Sequence, residues 1–190
     1  MEGKNINWFG LAGGIATTSL VVLSLTLASP WWQITVGTGF LKAGLSPLNT
    51  GLSLFGETLV IPLLWALNLT STLFLTASSI TLLIYSIVPT KSYSRHLLNF
   101  AYKKPLITLL TFTIILLATT YGLGAYFGLS IPVNGSANSK MPISLTQGAE
   151  INVPVTTSFT WTYYLAIVAA SLCIAARLYD KRVSAVPAST

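Results

Sequence analysis

The side chains able to do chemistry are few and far apart. The 190 residues hold one histidine, His96, one cysteine, Cys173, and four carboxylates, Glu2, Glu57, Glu150 and Asp180. A single histidine supplies neither bis-histidine haem ligation nor a histidine-rich metal site. The carboxylates are scattered, so no acid–base pair is expected. The glycines match neither a GxxxxGKS/T phosphate loop nor a strand-linked GxGxxG. On the outer side, serine nucleophiles would find no base beyond Glu57 and Glu150. The expectation is a protein that is not an enzyme and takes no cofactor or metal. Cys173 reads as a small buried apolar residue and, being alone, closes no intrachain disulfide. Asn134-Gly135-Ser136 has the form of a glycosylation acceptor. Asn68-Leu69-Thr70 has the same form but falls in a long uncharged stretch.

The elements that carry these residues are set by hydropathy. Four stretches, 8–29, 58–88, 106–128 and 158–176, contain no Asp, Glu, Lys, Arg or His. Each reaches or approaches the roughly 20 apolar residues a helix needs to cross a bilayer. Only 7% of the chain is charged and 53% is hydrophobic, against about 25% charged in soluble domains. One integral membrane domain over 1–190 is expected: four transmembrane helices, outer connections 30–57 and 129–157, an inner connection 89–105 and a tail 177–190. Residues 1–29 read as a retained helix rather than a signal peptide, because the apolar run exceeds the usual signal core.

Charge placement orients the chain. Lys4, Lys91, Arg95, Lys103, Lys104, Arg177, Lys181 and Arg182 fall at the ends or in the inner connection, and only Lys42 and Lys140 in the outer ones. Basic residues are retained on the cytoplasmic side, so both termini are expected there, in a cell membrane. An even number of spans requires both termini on one side in any case. The basic surplus is expected to meet anionic headgroups rather than nucleic acid.

Aromatic and small residues fill in the frame. Trp8, Trp31, Trp32, Trp65 and Trp161 are expected to anchor the spans at the headgroup level, with Tyr85, Tyr102 and Tyr179 on the inner side. Gly10-x-x-x-Gly14 and Gly124-x-x-x-Gly128 offer small faces for close helix packing, within the chain or between subunits. The second stretch, if helical throughout, would reach roughly 46 Å, so it must tilt, kink or protrude. Its hydroxyls and Asn68 are expected to face other helices. In the inner connection, Tyr93, Leu97, Phe100 and Ala101 share one helical face and Arg95, Asn99 and Lys103 another. That pattern predicts a short interfacial helix, with Pro105 then opening the third span.

The outer connections read as β-structure. Trp32, Ile34 and Val36 alternate with polar residues, glycines and Pro47 then break any long element, and Leu52, Leu54 and Gly56 allow a second short strand. Further alternation covers 131–133, 141–145 and 151–155, with turns at Asn134-Gly135 and Gln147-Gly148. Pro132, Pro142 and Pro154 each remove a ladder donor, which predicts edge or bulged strands. The expected fold is an all-α transmembrane four-helix bundle capped by a small extracellular sheet of three to five strands from both outer connections.

Four spans, cytoplasmic ends, a Trp-bearing first outer loop and an outer β-sheet together resemble claudin-type tetraspan membrane proteins. The resemblance is one of topology across the whole chain. In that family the first outer loop carries a Trp signature with a cysteine pair; Trp31 and Trp32 correspond to its aromatic part, and no cysteine accompanies them. The function expected is structural: association with copies of itself or with membrane-protein partners, laterally or through the outer sheet. An accessory subunit of a respiratory or transport complex is the alternative. An oligomeric channel or small-molecule transporter lined by hydroxyls is the third reading.

Overall fold

The structure is a computed structural model, and it describes residues 6–89, 93–127, 130–142 and 150–185. In chain order the elements are α1 (Trp8–Thr26), β1 (Trp32–Val36), β2 (Leu41–Leu45), β3 (Gly51–Leu54), β4 (Glu57–Leu59), α2 (Pro62–Ile87), α3 (Ser94–Phe127), β5 (Gly135–Pro142), β6 (Glu150–Phe159) and α4 (Trp161–Ala185). The four helices are long and apolar enough to cross a membrane. The chain is thus a multi-pass membrane protein with a sheet at one end of its helices.

The helices form a ring in which α1 touches α2 and α4, and α3 touches the same two. Apolar side chains gain nothing by leaving lipid for another helix, so close backbone approach and polar contacts must hold such a bundle. Gly10 and Gly14 supply the approach on α1. A Cβ at Gly14 would stand 2.6 Å from Leu83 Cδ2, and one at Gly10 2.5 Å from Ser86 Oγ. Gly13 brings α1 close to α4 as well, where a Cβ would meet the Cys173 backbone nitrogen at 3.3 Å.

Two buried clusters fill the ring. Toward the sheet lie Leu20, Val21, Trp31, Leu48, Leu75 and Ala166, with Phe112 and Tyr163 against them. Toward the other end lie Leu82, Tyr85, Leu98, Ala101, Cys173 and Ala176.

The sheet is antiparallel with strand order β4-β3-β2-β1-β6-β5. The first connection forms a four-stranded meander, and the last strand of the second connection pairs with its first strand, Trp32 opposite Phe159 and Val36 opposite Val155. Six strands exceed the three to five expected. The extra ones are β2, over residues expected only to break structure, and β4, whose Thr58 and Leu59 fall in the stretch assigned to the second span. Gly37 and Gly39, at φ of +65° and +101°, close the β1–β2 turn instead of ending the sheet. β6 lies inside the sheet despite Pro154, which corrects the edge expectation for that strand. Pro154 falls just beyond the end of β1, where only its carbonyl is used, accepting from the Gly37 N–H at 2.8 Å. The alternation at 131–133 forms no strand. Ile143, Leu145 and the Gln147-Gly148 turn lie outside the described residues.

Three helix boundaries differ from expectation. α1 ends at Thr26, and Ala28, at φ +46°, turns the chain toward Pro30. α2 starts at Pro62, a first-turn position where its missing N–H costs nothing. α4 continues to Ala185, well past the apolar stretch, so residues 177–185 are helix rather than tail.

The largest correction concerns Pro105. It opens no helix. α3 is continuous for 34 residues with Pro105 inside it. Proline frees the carbonyl four residues back, here that of Ala101. The Ser78 hydroxyl of α2 donates to that carbonyl at 2.6 Å. A neighbouring serine thus supplies the bond the proline removes, which is how membrane helices tolerate proline.

Candidate functional sites

Three places gather polar or exposed groups: a hydrogen-bonded knot at the end that carries the helix charges, two clefts at the sheet end of α2, and the tips of the sheet.

The knot starts at Asn7, which is buried and caps α1, its Oδ1 accepting from the Gly10 N–H at 3.0 Å. Its Nδ2 donates to Tyr85 Oη at 3.0 Å and to the Ala176 carbonyl at 3.2 Å. Tyr85 Oη donates onward to Asp180 Oδ1 at 2.9 Å. Arg177 Nη1 closes the chain on Asp180 Oδ2 at 3.2 Å, and its guanidinium lies 5.8 Å from the Tyr102 ring centroid. Four helices thus meet through one polar chain. Tyr85, expected as an interfacial ring, is 1% exposed, so that expectation is corrected. Its long-range partners Asn7 and Asp180 gave no local signal in the sequence.

Farther along, beside the middle of α2, Lys104 Nζ lies 4.5 Å from the Phe74 ring centroid and 5.3 Å from that of Phe100. Among the described residues Lys104 has no carboxylate partner.

Asn68 sits between α2 and the first connection rather than between helices. In the amide orientation its neighbours require, Oδ1 accepts from the Thr50 N–H at 2.9 Å and Nδ2 donates to the Ser46 carbonyl at 3.1 Å. On either side of it α2 leaves a cleft. One, of about 410 Å³, faces α1 and β4 and is lined by Leu25, Leu48, Val60 and Trp65 among others. The second, of about 380 Å³, faces α3 and is lined by Leu67, Ser71, Ile107, Thr108 and Thr111 among others.

The β3–β4 hairpin turns on Phe55 and Gly56, at φ of +51° and +86°. Two positive φ values suit the right-handed twist of a tight hairpin. Glycine adopts this conformation freely, whereas phenylalanine does so at a cost. Phe55 is nonetheless 71% exposed, and its ring meets that of Phe40, also exposed, edge-on at 4.4 Å. Both rings stand at hairpin tips facing away from the helices.

The remaining sequence-predicted residues are distributed as follows. Gly10 and Gly14 lie buried at the α1–α2 contact, and Gly124 is half-buried on α3. Gly128 lies outside the described residues. Trp8, Trp65 and Trp161 are exposed on the helices. Trp31 and Trp32 are 1% and 2% exposed, so neither ring projects from the surface as an anchor would. Trp31 packs edge-on against Phe112 at 5.2 Å and Tyr163 at 6.2 Å. Trp32 Nε1 donates to the Val133 carbonyl at 2.7 Å, tying the second connection to the first. The pair is the joint between helices and sheet, and it is buried because both connections close over it. Among the described residues, Trp31 Nε1 and Ser24 Oγ are buried without a hydrogen-bond partner. Asn134 is exposed at a bend just before β5. Among the described residues no three of His, Cys, Asp and Glu come together as metal ligands. No protein-family model matches the chain, and no curated protein matches its sequence.

Proposed function

We propose that the protein is a non-enzymatic interaction protein of the cell membrane, with cytoplasmic termini, that binds copies of itself or partner proteins through its extracellular sheet. The observation that carries this reading is the pair Phe40 and Phe55. A bulky aromatic held at positive φ and left exposed costs stability, and strain kept at a surface tip points to use there. Exposed aromatic anchors are also the residues that dominate protein interfaces. The chain order of the sheet, with both outer connections in one layer and Trp31 and Trp32 at its base, supports the claudin-type resemblance. It is held without the family's cysteine pair, since Cys173 lies buried in α4.

Crosslinking in native membranes, followed by sizing in gentle detergent, tests the proposal. A homo-oligomeric ladder that disappears in Phe40→Ser/Phe55→Asn supports it, and a strictly monomeric, partnerless species overturns it. Asparagine tolerates positive φ, so this variant removes the rings without unfolding the turn.

The accessory-subunit reading is favoured by one separate observation. From Pro62 to Phe74 no residue of α2 is buried, which leaves that half-helix for a lateral partner. Co-migration with a larger complex at fixed ratio, unaffected by the tip substitutions, would select it. The channel reading is weakened by the hydroxyls. Thr17, Thr18, Thr72, Thr81, Ser86, Thr113 and Thr120 each donate back to a carbonyl four residues earlier on their own helix.

A further inference from the structure

We propose that Lys104 forms the head of a binding site for one anionic phospholipid, whose acyl chain occupies the α2–α3 cleft. The starting observation is depth. Lys104 Nζ stands against Phe74, the thirteenth of the 26 residues of α2. At 1.5 Å per residue that is about 20 Å from the charged end of the helix. The register is fixed independently by the Ser78–Ala101 bond and by the Asn7 N–H, which donates to the Ser86 carbonyl and sets the start of α1 level with the end of α2. A bilayer that covers the 19 residues of α1, roughly 28 Å, therefore places this ammonium within the membrane.

An ionised side chain at such depth is costly and marks a functional site by default. The charge has aromatic faces on two sides, Phe74 and Phe100, which attract a cation but do not neutralise it. The chain has few carboxylates to offer. Asp180 is engaged with Arg177 and Tyr85, Glu57 lies on β4 in the sheet, Glu150 begins β6 there, and Glu2 lies outside the described residues. Among the described residues no carboxylate is left for Lys104, and the counter-anion is expected from outside them.

Three features select a lipid. Phe74 and Phe100 are both exposed, so the site opens away from the bundle. Arg95 and Lys103 are exposed on the same third of α3, Lys103 beside Lys104 in the chain and Arg95 about 14 Å from it along the helix. On the other side of Lys104 the 380 Å³ cleft begins within one turn, at Ser71 and Ile107, and continues along the same seam. A phosphate on the ammonium and an acyl chain in the cleft fit that arrangement with the headgroup toward the charged end. The volume lies within the roughly 300–1,000 Å³ of ligand pockets.

Native mass spectrometry of the full chain in detergent, titrated with phosphatidylglycerol or with phosphatidylcholine of the same chain length, tests this. Wild type should retain phosphatidylglycerol preferentially. Lys104→Gln should lower that preference about fivefold. Lys104→Arg should keep it, as should Lys181→Gln, which removes an exposed charge at the same end. Ser71→Leu/Thr111→Leu, which fills the cleft, should weaken retention of both lipids. Added inorganic phosphate should leave the phosphatidylglycerol adduct in place; phosphate that replaces it would make the ligand a free anion and overturn the lipid assignment. Equal retention of the two lipids by wild type overturns the proposal, as does an equal loss in Lys181→Gln. A partner's carboxylate would instead show as a co-purifying membrane protein lost in Lys104→Gln with lipid ratios unchanged. Helicity by circular dichroism confirms that each variant is folded.

Discussion

The two halves of α2 have nearly the same apolar character and opposite fates. In the half nearer the charged end, Leu75, Ser78, Ser79, Leu82, Tyr85 and Ser86 are buried. Gly10 and Gly14 admit the helix to within backbone distance of α1, and Ser78 and Tyr85 bond across to α3, α1 and α4. In the half nearer the sheet no residue is buried, and only Asn68 is tied, to the first connection. Hydropathy does not separate the halves, because lipid accepts a leucine on any face. What separates them is the distribution of small and polar residues on the neighbours. Where α1 carries glycines the helices close; beyond them α2 parts from the ring and leaves clefts on both sides.

Several substitutions would break or sharpen this contrast, and they are ordered by the size of effect expected. Leu75→Ala, in the closed half, should cost about 3 kcal/mol by cavity formation. Leu67→Ala, in the open half, should cost under about 0.5 kcal/mol in the isolated chain. Equal costs, measured by reversible unfolding in detergent, would mean that the two halves pack alike. Gly14→Val should destabilise by about 2–3 kcal/mol, because the Leu83 side chain and backbone block the added carbons and α1 must move away. The same assay reads it, and an unchanged midpoint would show that the α1–α2 approach is not tight.

Tyr85→Phe removes the link between Asn7 and Asp180 and should cost about 2 kcal/mol, since one of its bonds is to a carboxylate. Proteolysis near residue 7 should speed up in parallel, because Asn7 loses one of its three hydrogen bonds to other helices. The smallest effect is the most specific. Ser78→Ala should cost about 1 kcal/mol by stranding the Ala101 carbonyl. In a Pro105→Ala background the helix satisfies that carbonyl itself, so the cost should vanish. A double-mutant cycle with no coupling would refute the repair of α3 by α2.

Much of the architecture is legible in the residues. Four uncharged stretches give four helices because no other backbone arrangement of that length satisfies its own hydrogen bonds in lipid. Alternation at Trp32, Ile34 and Val36 marks β1. The misreadings share a cause. Pro105 signals a helix start by local rules and was overruled by a hydroxyl more than twenty residues away. Trp31, Trp32 and Tyr85 carry the composition of an interfacial belt, and closure of the two connections over the tryptophans, like the meeting of helices around Tyr85, buried them. No sequence neighbour of Asp180 or Asn7 reveals that each bonds to Tyr85. The strain at Phe55 is equally silent, because a Phe-Gly pair does not announce a tight turn as Asn-Gly does.

The order of residues alone marked four helices long and apolar enough to cross a membrane and strands in the connections between them. Those depend on charge spacing and two-residue periodicity, which are properties of neighbours along the chain. The tertiary structure decided register and depth: which face of each helix meets another, and that Lys104 stands beside the middle of α2 rather than at its end. Apolar helices in lipid have no preferred side, so their sliding and rotation are fixed only by contacts between distant residues, the glycines of α1, the serine of α2 and the asparagine that precedes them all.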